Sequence, residues 1–140
     1  MSVEFVDTNV VVYAYDTSAG AKRAQARDLL ERLWHDATGA LSVQVLQELF
    51  VTLTRKVPRP LEGASARTIV ADFATWRVVE PSATEVLAAI DATDRWRISF
   101  WDAMILIAAQ RVGATVLWSE DLNPGQTFDS VLVRNPFEET

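Results

Sequence analysis

Cysteine is absent from this 140-residue chain, and histidine, the usual proton carrier near neutral pH, occurs once, at His35. The first absence excludes disulfides, thiolate metal sites and cysteine nucleophiles together, and suits a reducing compartment. Basic residues are also in the minority, 13 against 19 acidic for a net charge of −6. That balance argues against a protein that coats phosphate backbones indiscriminately, because such binding rests on basic surface. Long apolar runs are missing too: the longest unbroken one, Ala103 to Ala109, falls far below the roughly 20 residues a membrane span needs. Glu4 and Asp7 interrupt the first residues, so no basic segment leads into an apolar secretory core. The expectation is a soluble, cytoplasmic protein with no membrane partner.

What is present is the composition of one ordinary domain, with 49% hydrophobic and 23% charged residues, and a single globular unit over residues 1–140 is expected. Val3 to Val6 reads as a short buried strand, and Thr8 to Tyr15 as a short helix or a continued buried segment. From Ala21, apolar Ala26, Leu29, Leu30, Leu33 and Trp34 keep a helical rhythm against a charged opposite face. After Gly39, Ala40–Val43 predicts a strand and Gln44–Lys56 a helix, stopped by Pro58 and Pro60. Ala64–Trp76 predicts a helix, Arg77–Val79 a strand, and Ser82 with Glu85 a capping box opening a helix through about Trp96. Ser99 starts the next helix, ending at Gly113; Thr115–Trp118 is strand-like, Asp121–Gly125 a loop, and Val131–Val133 a last edge strand. Strands alternating with helices imply a mainly parallel sheet with helices on both faces, whose site lies outside the carboxyl ends of the strands.

Four acids stand against that edge. Asp7 closes the first strand, Asp121 follows the Thr115–Trp118 strand, and Glu48 and Asp102 are expected in the first turns of returning helices, within apolar surroundings. Each also fits a local role: Asp7 and Asp102 in helix caps, Asp121 in a turn, Glu48 on a solvated rim. Independent caps have no reason to converge on one sheet edge, whereas a metal site requires it. Two carboxylates about 4 Å apart repel by about 4 kcal/mol at an effective dielectric near 20, and a divalent cation or protonation relieves this. Two such ions would offset about four charges locally.

RNA cleavage through the 2′-hydroxyl usually wants paired acid and base groups near neutrality, and one histidine, two lysines and two tyrosines supply few. His35, ending a charged helix, is expected in solvent. The five tryptophans, Trp34, Trp76, Trp96, Trp101 and Trp118, are expected mostly in the core, with one or two on a partner surface. Arg55, Lys56 and Arg59, and separately Arg95 and Arg97, are either solvated helix ends or phosphate contacts.

Asp7-Thr8-Asn9 after the first strand, Gln47-Glu48-Leu49 on a helix, Ile98-Ser99-Phe100-Trp101-Asp102-Ala103 opening another, and Trp118-Ser119-Glu120-Asp121-Leu122 after a strand resemble the PIN-domain ribonucleases. The likeness covers nearly the whole chain, to Arg134-Asn135-Pro136-Phe137, and is closer still to the VapC toxins of bacterial toxin–antitoxin systems. It implies a three-layer α/β/α sandwich on a mainly parallel sheet. It implies that Asp7, Glu48, Asp102 and Asp121 bind Mg²⁺ or Mn²⁺, directly or through water, with Thr8, Asn9 and Ser119 supporting them by hydrogen bonds. Hard oxygen ligands suit those ions. The resemblance further implies an endoribonuclease leaving 5′-phosphate and 3′-hydroxyl ends, a homodimer, and a cognate antitoxin that occupies or covers the site. Rival readings are a Mg²⁺-binding receiver-type phosphoacceptor, which would want a lysine after a late strand, and a haloacid dehalogenase-type phosphatase, which would want Asp where Asn9 stands. An inactive interaction module on a similar fold is the third.

Overall fold

The computed structural model describes residues 2–138. Its order is β1 (Glu4–Val6), α1 (Thr8–Tyr15), α2 (Ala21–Asp36), β2 (Gly39–Ser42), α3 (Val43–Arg55), α4 (Gly63–Phe73), β3 (Arg77–Val79), α5 (Ala83–Trp96), α6 (Phe100–Arg111), β4 (Val116–Trp118), β5 (Thr127–Phe128) and β6 (Val131–Arg134). The strands form one sheet in the order β3-β2-β1-β4-β6-β5, parallel throughout except for the β5–β6 hairpin. All four residues of β2 are buried, as expected of a parallel strand covered by helices on both faces. The result is the α/β/α sandwich that the alternation implies.

From β1 the chain winds outward through β2 to β3, then returns across β1 to lay down β4 on the other side. The carboxyl ends of β1 and β4 therefore flank the point where strand order reverses, which leaves a crevice there. Beneath it lies a continuous core that includes Phe5, Leu41, Leu49, Leu53, Leu106 and Leu117, all fully buried. A smaller cluster of Ala89, Ala92, Ala103 and Met104 joins α5 to α6, small side chains permitting close approach. No described helix is long and apolar enough to cross a membrane.

Several expectations need correction. Val131–Val133 lies in β6, which is internal, between β4 and β5; the edge strand on that side of the sheet is β5, folded back through Asp129 at φ 53°. Two residues are too short a run to stand out by alternation, and the hairpin is closed by a left-handed Asp rather than the more conspicuous glycine. Ser82 and Glu85 bond each other through their side chains, and Ser82 makes no side-chain cap bond to the backbone. At the start of the next helix, α6, the Ser99 cap is made, its Oγ accepting from the Asp102 amide at 3.1 Å. Among the tryptophans only Trp118 is fully core; Trp76 and Trp96 are half-buried against the core cluster, while Trp34 and Trp101 are exposed. His35 is exposed, as expected.

Candidate metal centre

Asp7 leaves β1 in extended conformation and caps α1, its Oδ1 accepting from the Thr8 amide at 2.7 Å. Its second oxygen, Oδ2, accepts from the Ser119 hydroxyl at 2.8 Å. Ser119 follows β4, and its Oγ also accepts from the amides of Asp121 at 3.1 Å and Leu122 at 3.4 Å. One hydroxyl thus ties the end of β1 to the turn carrying Asp121, while the main chains of the two strands are joined by the Asp7 amide donating to the Trp118 carbonyl. Asp102 arrives in the first turn of α6 behind its Ser99 cap. The cap and local roles expected singly for these acids are real, and the acids converge nonetheless.

One carboxylate oxygen from each of Asp7, Asp102 and Asp121 lies within 4.8 Å of the others. Glu48 stands outside that triad but lines the same cleft. It is the sixth residue of α3, in the second turn rather than the first, because the helix begins at Val43. The Thr8 hydroxyl donates to Glu48 Oε1 at 2.8 Å, and the Gln44 amide approaches the same oxygen at 3.4 Å, so the carboxylate is turned toward the cleft. Of the residues expected in support, Thr8 and Ser119 bond acids directly. Asn9 does something different: its Oδ1 accepts from the Glu120 amide at 3.3 Å, fixing the Asp121 turn, and its Nδ2 is buried without a partner.

The electrostatics follow from burial. Asp7 is 5% exposed, and desolvation pushes its carboxyl up to about 7; the Ser119 and Thr8 hydrogen bonds oppose this, and the charges of Asp121 and Asp102 reinforce it. Asp102 is raised as well, again mainly by burial, against the Ser99 bond and with the Asp121 charge. Such a site favours positive charge. Clustered carboxylates without sulfur or imidazole form a hard oxygen donor set, which fits Mg²⁺ or Mn²⁺.

The cleft encloses about 570 Å³, and besides the acids its walls include Tyr13, Gln47, Lys56, Val57 and Trp101. Lys56 is the only basic residue among those walls. It follows the last residue of α3, Arg55, whose place in the final turn is that of a solvated helix end. Arg95 is engaged elsewhere, with Asp129 at 3.6 Å and over the Trp96 ring. Sequence reasoning missed the cluster that holds the turn from outside. Glu120 accepts from Tyr13 Oη at 2.8 Å and pairs with Lys22 at 2.5 Å, and Lys22 lies over the Tyr13 and Phe137 rings. Nothing local signals it, since the partners are about a hundred residues apart.

The PIN domain family model matches residues 5–127. No curated protein sequence matches significantly. Among solved structures, the chain is similar to a toxin–antitoxin complex from Klebsiella pneumoniae, with TM-score 0.72 and 18% identity over 99% of this chain and 100% of that one. Similarity extends to VapC20 of Mycobacterium tuberculosis, described as a toxin cleaving the sarcin–ricin loop, with TM-score 0.63 and 22% identity over 84% of this chain and 89% of that one. VapBC2 of Rickettsia felis, bound to a promoter DNA fragment, superposes with TM-score 0.66 and 18% identity over 95% of this chain and 98% of that one. These identities speak to fold; the family match spans most of the sequence and coincides with the acid-lined crevice. This chain belongs to the PIN domain family.

Proposed function

We propose that this protein is a metal-dependent endoribonuclease, the toxin component of a type II toxin–antitoxin pair, acting as one nuclease domain over residues 1–140. The observation that carries the reading is the convergence of Asp7, Asp102 and Asp121 within 4.8 Å at the switch point of a PIN fold, with Glu48 beside them. These four carboxylates would hold Mg²⁺ or Mn²⁺. A bound divalent cation supplies Lewis acidity at the phosphodiester and a nucleophile from water at neutral pH.

The chain's own contribution is positional. Ser119 orients Asp7 and the Asp121 turn together, Thr8 orients Glu48, and the Ser99 cap fixes the start of the helix that carries Asp102. Lys56 places one positive charge on the cleft wall, where it would meet a phosphate. The receiver-type alternative fits less well, because its strand order, with β1 next to β3, differs from the order here. Of the two lysines, Lys22 is paired with Glu120 and Lys56 follows a helix rather than a late strand.

The similar structures include toxin–antitoxin complexes, which supports a cognate antitoxin as partner. A homodimer in the cytoplasm completes the reading, on family resemblance and the cysteine-free composition. The test is sequencing of 5′-phosphorylated RNA ends produced with Mn²⁺ or Mg²⁺. Wild-type protein should generate discrete ends, whereas Asp7→Ala and Asp102→Ala, both folded, should generate none. Unchanged cleavage by both variants overturns the assignment. Co-purification with a small neighbouring gene product tests the antitoxin, and its persistent absence counts against it.

A further inference from the structure

Beside the acid cleft lies a second one of about 490 Å³, and Trp101, with Gln44 and Gln47, lines both. We infer that this second cleft is a nucleobase subsite, in which Trp101 stacks on the base of a nucleotide flanking the scissile phosphate; the inference rests on the nuclease reading above.

Four observations support it. Trp101 is 63% exposed although it directly precedes Asp102, and its ring is braced edge-on by Phe100 at 5.0 Å, so a large rigid surface is presented at little further entropic cost. The second cleft has apolar walls from Val43, Pro81 and Met104, with the polar side chains of Gln44, Gln47 and Glu80 among them. Apolar faces with a few donors and acceptors are what a flat heterocycle with a polar edge requires. Gln44 and Gln47 line both clefts, and the Gln44 amide approaches both the Trp101 carbonyl, at 3.3 Å, and Glu48. A base in the second cleft would thus be one short step from a phosphate at the acids. Finally, Lys56 alone contributes positive charge to the walls of the first cleft, in a chain of net charge −6. Attraction to phosphates is therefore weak, and stacking is the general means of holding a single strand that does not depend on it.

The test uses the full-length protein freed of any antitoxin and a short single-stranded RNA containing one cleavage site. Wild type, Trp101→Ala and Trp101→Phe are compared, with an abasic nucleotide substituted in turn at each position near the site. Binding is read by anisotropy in Ca²⁺, and cleavage separately in Mn²⁺. Trp101→Ala should weaken binding and raise KM about tenfold, with kcat within a few-fold of wild type and Trp101→Phe close to wild type. In wild type one abasic position should carry a comparable loss, and that loss should vanish in Trp101→Ala. Binding by Trp101→Ala equal to wild type overturns the inference and leaves Trp101 to a protein partner. A loss equal at every abasic position, or one confined to kcat, overturns it too. Failure of the nuclease reading looks different: no cleavage by wild type in Mn²⁺, whatever the stacking data show.

Discussion

At the scale of single residues, Asp7 joins two demands that oppose each other. It caps α1 and is nearly sequestered from water, so its charged form is costly, and burial raises its carboxyl from 3.8 to about 7. A carboxyl raised on folding makes no difference below its unfolded value, costs stability progressively as pH rises from about 4 to 7, and carries the full cost above that. The difference corresponds to about 4 kcal/mol at most. Asp7→Asn should therefore stabilise the metal-free protein at pH 8 and change it little at pH 4, with urea midpoints measured across that range in EDTA. Thr8 acts on the neighbouring ligand candidate, since its hydroxyl turns Glu48 into the cleft. Thr8→Val should lower Mn²⁺ affinity about tenfold, as loss of a bond that orients a ligand does. Calorimetric titration with unchanged circular dichroism would verify it.

At the scale of elements, the site depends on where helices begin. Ser99 supplies the hydroxyl that accepts from the Asp102 amide and so fixes the first turn of α6. Ser99→Ala should cost about 1 kcal/mol of stability. Because that turn carries Asp102, cleavage should fall as well, and urea denaturation with an initial-rate assay measures both. At the start of β2, a side chain at Gly39 would run into the Trp76 ring. Trp76 is held there by Trp34 and Phe73, with ring centroids 5.2 and 5.0 Å away. Gly39→Ala should destabilise the fold by about 1–3 kcal/mol through overpacking, and the companion Trp76→Leu should recover part of that loss in the same denaturation experiment. The elements themselves were largely legible. Apolar runs and periodicity, with capping and breaker residues, located five of the six helices and five of the six strands near their observed positions and left α1 as a helix or a continued buried segment, while the short β5 gave no periodic signal.

At the scale of the molecule, net charge bears on how the proposed RNA substrate would be held. With Lys56 alone as a basic wall residue, few counterions would be displaced by RNA entering the cleft. The logarithm of the RNA association constant should fall with the logarithm of salt at a slope of about −0.7 to −1.4, corresponding to one or two phosphates. Anisotropy titrations between 50 and 200 mM salt would measure this, and a markedly steeper slope would reveal a basic surface elsewhere.

The sequence by itself determined the alternation of strands and helices, the parallel sheet this demands, and four acids suited to a cation at its carboxyl edge. It did so because burial and helix periodicity are local properties, written in neighbouring residues. Only the tertiary structure decided that three of those acids meet within 4.8 Å while Glu48 stands apart on a threonine tether, that β6 lies inside the sheet, and that Trp101 borders two clefts. Those outcomes depend on strand order and helix register, which bring together side chains up to about a hundred positions apart and leave no trace in any one stretch of chain.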